Sequence, residues 1–142
     1  MTDLLTGLLR LAGTGLIALA FLHIPIARML RWREELQQIS PANAAIFKVH
    51  AFFICLVEVL MGLPCLLEPA IFLTPTRAGM WLAWTFAFFW GVRLYFQFFV
   101  YTAGLRHGKR LETALHWWFA LIWLSLTGLY AACGAIQSGF PH

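Results

Sequence analysis

The chain has 142 residues, of which 61% are hydrophobic and 11% charged, with a formal net charge of +4 and a pI near 9.4. A water-soluble domain is typically about half apolar and about a quarter charged, so this composition excludes an ordinary soluble globular protein and asks for a bilayer as solvent. The basic residues form no stripe with interleaved polar groups, which argues against nucleic acid as a partner; in a membrane protein such an excess reports orientation and anionic lipid instead.

The length fits one domain. The sequence shows no internal repeat and no linker, so residues 1–142 read as a single transmembrane domain. The first apolar segment runs from about Leu4 to Leu30. Arg10, the stretch Leu11–Leu22 and the triplet Ala18-Leu19-Ala20 imitate a cleavable signal, but the apolar run continues to Ile26, so a retained helix is expected. Within it, Pro25 lacks an N–H and should release the carbonyl of Phe21 near His23. The connection Arg31–Ala45 follows, with Ser40 as expected N-cap and Pro41 at the first helical position.

The second segment, Ile46–Leu67, carries Lys48, His50 and Glu58. Glu68–Ala78, punctuated by two prolines, leads to the third segment, Gly79–Thr102, with Arg93, Gln97 and Tyr101 spaced along one helical face. Ala103–Glu112 leads to the fourth, Thr113–Cys133, where Thr113, Ala120, Thr127 and Gly134 form a stripe of small residues of the kind that lets membrane helices approach closely. Each segment approaches or exceeds the ~20 residues needed to cross a ~30 Å hydrocarbon core, and lipid demands helices because it cannot satisfy backbone N–H and C=O groups. The expected fold is an all-α integral membrane bundle of four transmembrane helices.

Seven basic residues (Arg28, Arg31, Arg33, Lys48, Arg106, Lys109 and Arg110) flank one face of this arrangement, and two (Arg10 and Arg77) flank the other. The positive-inside rule then puts the loops Arg31–Ala45 and Ala103–Glu112 in the cytoplasm and both termini outside, in a membrane of the bacterial inner type.

Ionisable residues inside membrane segments are costly and mark function. Glu58 and Arg93 both fall near the midplane by helical rise, so a buried ion pair between them is expected; such a pair could equally serve only to set helix register. His23, His50 and His116 each fall within ~10 Å of the cytoplasmic charges along their helices. That count places them at one membrane level, with Gln97 and Tyr101 of the third segment beside them. Neutral imidazole is the commonest metal ligand and an axial ligand of haem. The bland reading is that interfacial histidines and tryptophans anchor the helix ends. Trp81, Trp84, Trp117 and Trp118 suit that belt. Trp90 and Trp123 lie deeper, where core packing is the simpler role, although Trp90 is spaced to stack on Arg93. Without a Cys-x-x-Cys motif, Cys55, Cys65 and Cys133 lack the signature of a thiol relay; a Cys65–Cys133 disulfide is open to an oxidising outer compartment.

The segment Arg93-Leu94-Tyr95-Phe96-Gln97 is similar to the third-helix segment of the MAPEG group of membrane glutathione and eicosanoid enzymes, which also share the size, four helices and basic pI. The resemblance implies a trimer with a lipid-facing cleft between subunits. The Arg/Asn/Glu glutathione signature of their second helix is absent from Lys48–Glu58.

The leading functional expectation is a small redox-type membrane subunit holding haem b or a quinone near the cytoplasmic face. His23, His50 and His116 would be ligands or proton partners, with Arg93, Gln97 and Tyr101 in the same cofactor site. The alternatives are an accessory subunit without a cofactor, packed against other membrane subunits or its own copies, and a MAPEG-like conjugating enzyme.

Overall fold

The computed structural model describes residues 2–29, 31–100 and 110–139. Among these, every regular element is helical. In chain order they are α1 (Thr2–Met29), α2 (Trp32–Glu35), α3 (Pro41–Leu67), a 3₁₀ turn (Pro69–Phe72), α4 (Arg77–Phe99) and α5 (Arg110–Ser138). Among the described residues three helices are long and apolar enough to cross a membrane: α1, α3, and α5 from Thr113 to Ser138. They are those of an integral membrane protein. Their outward surfaces fit that solvent, since Leu4, Leu11, Leu67 and Leu121 are all more than 60% exposed, and extensive apolar surface of this kind is not sustained in water.

The helix ends are set by local chemistry. Ser40 caps α3 by accepting a hydrogen bond from Asn43 N (3.3 Å), with Pro41 at the first position, as the sequence indicates. This starts α3 five residues before the apolar segment that begins at Ile46. Thr76 caps α4, its hydroxyl accepting from Gly79 N at 3.0 Å. Arg31, at φ 51°, adopts the left-handed conformation that ends α1 and turns the chain into α2. Pro25 lies inside α1, which runs on to Met29.

The chain divides into two compact units, Asp3–Pro69 and Ala70–His142. In the first, α1 and α3 run antiparallel and cross at two glycines. A Cβ on Gly13 would lie 2.6 Å from Gly62 O, and one on Gly62 would lie 2.8 Å from Gly13 O. Leu9, Leu16, Leu19, Met61 and Cys65 are buried.

In the second unit α4 and α5 are also antiparallel. Phe72, Phe86 and Tyr130 form an aromatic triangle with centroids 5.1–5.6 Å apart. The stripe of small residues on α5 acts where aromatic or backbone atoms come close. Gly134 lies against Trp84, with only 2.8 Å between Trp84 Cε2 and the position a Cβ would take. Thr127 Cγ2 stands 3.7 Å from the corresponding position of Gly91. Thr113, by contrast, is exposed.

Helix α5 extends beyond Cys133 because Gln137 and Ser138 have partners there. Fully buried Gln137 donates from Nε2 to Phe72 O (2.8 Å) and accepts from Thr76 N at 3.4 Å. It thereby ties the 3₁₀ turn and the start of α4 to the end of α5. Gln137→Leu is expected to lower stability by about 1–3 kcal/mol, the penalty for leaving buried backbone groups unpaired. Denaturation of the detergent-solubilised protein checks this, and an unchanged midpoint would show that the tie is dispensable.

Candidate functional site

The first unit holds a cavity of about 520 Å³ between α1, α2 and α3. Its α3 wall is one helical face, Lys48, Phe52, Cys55 and Val59, which spans about 16 Å by helical rise. Trp32 and Leu36 line it from α2 and the chain just after it. Trp32 is held by an edge-to-face contact with Phe47, centroids 5.0 Å apart. The side chains are overwhelmingly apolar, with Lys48 at the end nearest α2.

His23 lines the same cavity from α1. Its Nδ1 lies 3.0 Å from Leu19 O and 3.5 Å from Glu58 Oε2. The Glu58 side chain is 6% exposed and that of His23 24% exposed, so a carboxylate sits behind an imidazole that borders the cavity. A carbonyl oxygen can only accept, so the contact with Leu19 O places a proton on Nδ1, with the Glu58 carboxylate beside it outside hydrogen-bond geometry. The partner contact sets the tautomer and orientation of a functional histidine.

The contact also corrects the expected depth of the histidines. His23 is level with Glu58, eight residues beyond His50 and so about 12 Å from it along α3. The count from the charged residues failed because α3 starts at Pro41, so Lys48 and His50 lie well inside its length, while α1 ends one residue after Arg28. His50 is exposed, does not line the cavity, and bonds through Nδ1 to Ile46 O at 2.9 Å. The last turns of α1 and the first turns of α3 are thus offset rather than aligned.

The other expected site residues belong to the second unit. Gln97, buried on α4, does meet His116 on α5. Its Nε2 lies 2.9 Å from His116 Nδ1 and 3.3 Å from His116 O, and its Oε1 accepts from Trp123 Nε1 at 3.4 Å. The indole nitrogen only donates, so it fixes the amide oxygen toward Trp123 and the NH₂ toward His116. His116 Nδ1 must then accept, which puts the imidazole proton on Nε2. Nε2 is buried and has no hydrogen-bond partner among the described residues. In their neutral forms His23 and His116 are therefore opposite tautomers. A metal ligand needs a lone pair on the ligating nitrogen, and in this network Nε2 of His116 carries a proton.

The Arg93 guanidinium lies over the Trp123 ring, 5.2 Å from its centroid. The sequence points to Trp90 for this contact. Trp90 instead stacks on Trp123, centroids 4.9 Å apart and planes 10° apart. Phe119 is also parallel to Trp123, at 5.7 Å. Glu58 lies in the first unit and Arg93 in the second. Tyr101 lies outside the described residues.

Among the described residues, no group of three or more His, Cys, Asp or Glu side chains is gathered to hold a metal ion. All three cysteines are free thiols. Sequence reasoning missed the cavity and the His23–Glu58 contact. Counting from the helix ends could not find the contact: in an antiparallel pair His23, six residues before the end of α1, is expected opposite the first turns of α3, whereas Glu58 lies seventeen residues past its start, and only the contact at Gly13 and Gly62 sets the register. No protein-family model, no curated protein and no solved structure matches the chain.

Proposed function

We propose that the protein is a four-span integral membrane protein that binds a quinone-type ligand in the α1–α2–α3 cavity, which runs from Lys48 at its cytoplasmic end to the deeper level of His23 and Glu58, the ligand's proton partners. The observation that carries this reading is the imidazole bordering an otherwise apolar cavity of about 520 Å³ with a buried carboxylate 3.5 Å behind it. Small-molecule sites of ~300–1,000 Å³ combine apolar walls with a few placed polar groups in this way. The apolar walls suit a ring and prenyl chain, and the imidazole suits a ring oxygen.

Helix α4 supplies the fourth span in this proposal. Its 23 residues reach about 34 Å, enough for the hydrocarbon core. Its outward side chains include Trp81, Phe88, Tyr95 and Phe99, all more than half exposed. The test of function is extraction of the protein purified from its native membrane. A co-purifying compound whose near-ultraviolet absorption changes on borohydride reduction supports the quinone reading. A Soret band in its place transfers the role to haem, and a colourless protein without extractable ligand leaves the accessory-subunit reading.

The seven-to-two distribution of basic residues supports cytoplasmic placement of the Arg31–Ala45 loop. Gln38→Cys, in a chain whose three native cysteines are replaced by alanine, is expected to resist a membrane-impermeant thiol reagent in intact cells and to react once the cells are opened. Labelling from outside would invert the topology.

A further inference from the structure

We propose that the cavity exchanges its ligand sideways with the bilayer, through a gap between α1 and α3 rimmed by Phe21, Ile24 and Phe52, and is closed toward the aqueous side by Trp32 and Leu36. The inference rests on that cavity's being a ligand site and adds the class of molecule it admits: one that dissolves in the membrane and carries a hydrocarbon chain. The rim residues line the cavity and are also exposed, Phe21 by 65%, Ile24 by 56% and Phe52 by 64%. A side chain does both only where the wall of a cavity meets the outer surface. That surface belongs to α1 and α3, both long and apolar enough to span a bilayer. Ile24 is four residues before Arg28 and Phe21 seven, and Phe52 is four residues after Lys48. By helical rise the rim therefore stands about 6–10 Å deeper than these cations. The opening faces hydrocarbon rather than water.

The other end is built differently. Trp32 and Leu36 line it and are half-buried. The Trp32 ring stands edge-on to Phe47, centroids 5.0 Å apart, and Leu36 N donates to Trp32 O at 2.9 Å, which closes the single turn of α2. Lys48 also lines this end, where a lysine stem lies along apolar wall while its ammonium stays in water. A polar molecule arriving from water meets two apolar side chains first, and then walls that leave its hydrogen bonds unmet, which is unfavourable. A chain-bearing lipid loses nothing by the transfer, because lipid tails and apolar side chains are alike as solvents. Its tail stays in the gap while its ring moves inward, so the ring reaches the level of His23 and Glu58 without passing the charged residues.

The chain carries its own probe of this route. Cys55 lines the cavity and is half-buried, whereas Cys65 and Cys133 have no exposed surface. The full chain is reconstituted in phosphatidylcholine vesicles and treated on both faces with either a long-chain N-alkyl maleimide dissolved in the lipid or a charged, water-soluble methanethiosulfonate. Mass spectrometry is expected to find a single addition from the maleimide, lost in Cys55→Ala, and none from the charged reagent. Trp32→Ala should let the charged reagent in. Ala51→Cys, in a chain whose three native cysteines are replaced by alanine, repeats the comparison one turn nearer α2, and the same outcome is expected. Reaction of the wild-type chain with the charged reagent shows an aqueous entrance and overturns the proposal. Failure of the maleimide at both positions shows a cavity sealed from lipid and overturns it equally. A Trp32→Ala chain that still refuses the charged reagent overturns the closure by α2. Preloading the vesicles with a decyl benzoquinone is expected to slow the maleimide; unhindered labelling overturns the quinone reading and leaves the lateral route standing.

Discussion

Gly62→Leu is expected to destabilise the α1–α3 pair by about 3 kcal/mol, at the upper end of what overpacking a close-packed site costs. Its Cβ alone would lie 2.8 Å from Gly13 O, 3.0 Å from Ile17 Cγ1 and 3.3 Å from Leu16 Cβ. The nearest of these is a backbone atom and cannot swing aside. Lipid provides no hydrophobic force to drive membrane helices together, so their association depends on close van der Waals contact through small residues. Gly13→Ala should act in the same direction, since its Cβ meets Gly62 O at 2.6 Å and Leu66 N at 2.8 Å. Gly7 and Gly15 have open space at their Cβ positions, and alanine there should leave stability unchanged or slightly raised through better helix propensity. Unfolding in mixed detergent micelles of increasing denaturing strength reads all four. A Gly62→Leu protein as stable as wild type would contradict the crossing.

Gln97→Leu should have a comparable effect of about 3 kcal/mol. One amide serves three groups, His116 Nδ1, His116 O and Trp123 Nε1. Leucine fills most of the volume and satisfies none of them. Leaving a buried donor or acceptor unmet costs about 1–3 kcal/mol each, and Trp123 is only 3% exposed. The same substitution releases the constraint on the His116 tautomer. The ¹⁵N signature of that ring should change from protonated Nε2 to a mixture, while that of His23 stays as it is. Unchanged stability together with an unchanged His116 ring would mean that the amide network does not hold.

The helices were legible because their signals are local and strong. Runs of about twenty apolar residues, the Ser40–Pro41 start and the Gln97–His116 level follow from hydropathy and helical rise. Less could be read where a result depends on how two helices meet. The level of His23 depends on the crossing at Gly13 and Gly62, and neither glycine stands out in the sequence from Gly7 or Gly15, which touch nothing. Arg93 over Trp123 rather than Trp90 is likewise a matter of which ring α5 brings to α4. The extension of α5 through Gln137 and Ser138 rests on side-chain bonds to residues more than fifty positions away, beyond the reach of any window of hydropathy.

The glycine contact and the cavity share the same two helices. The cavity begins at Ala20 on α1, seven residues or about 10 Å along the helix from Gly13. A side chain added at Gly13 or Gly62 meets backbone atoms that cannot swing aside, so it has to shift α1 against α3, and these helices are also walls of the cavity. Gly13→Ala in a protein that still folds should therefore alter ligand binding without changing any residue that faces the ligand.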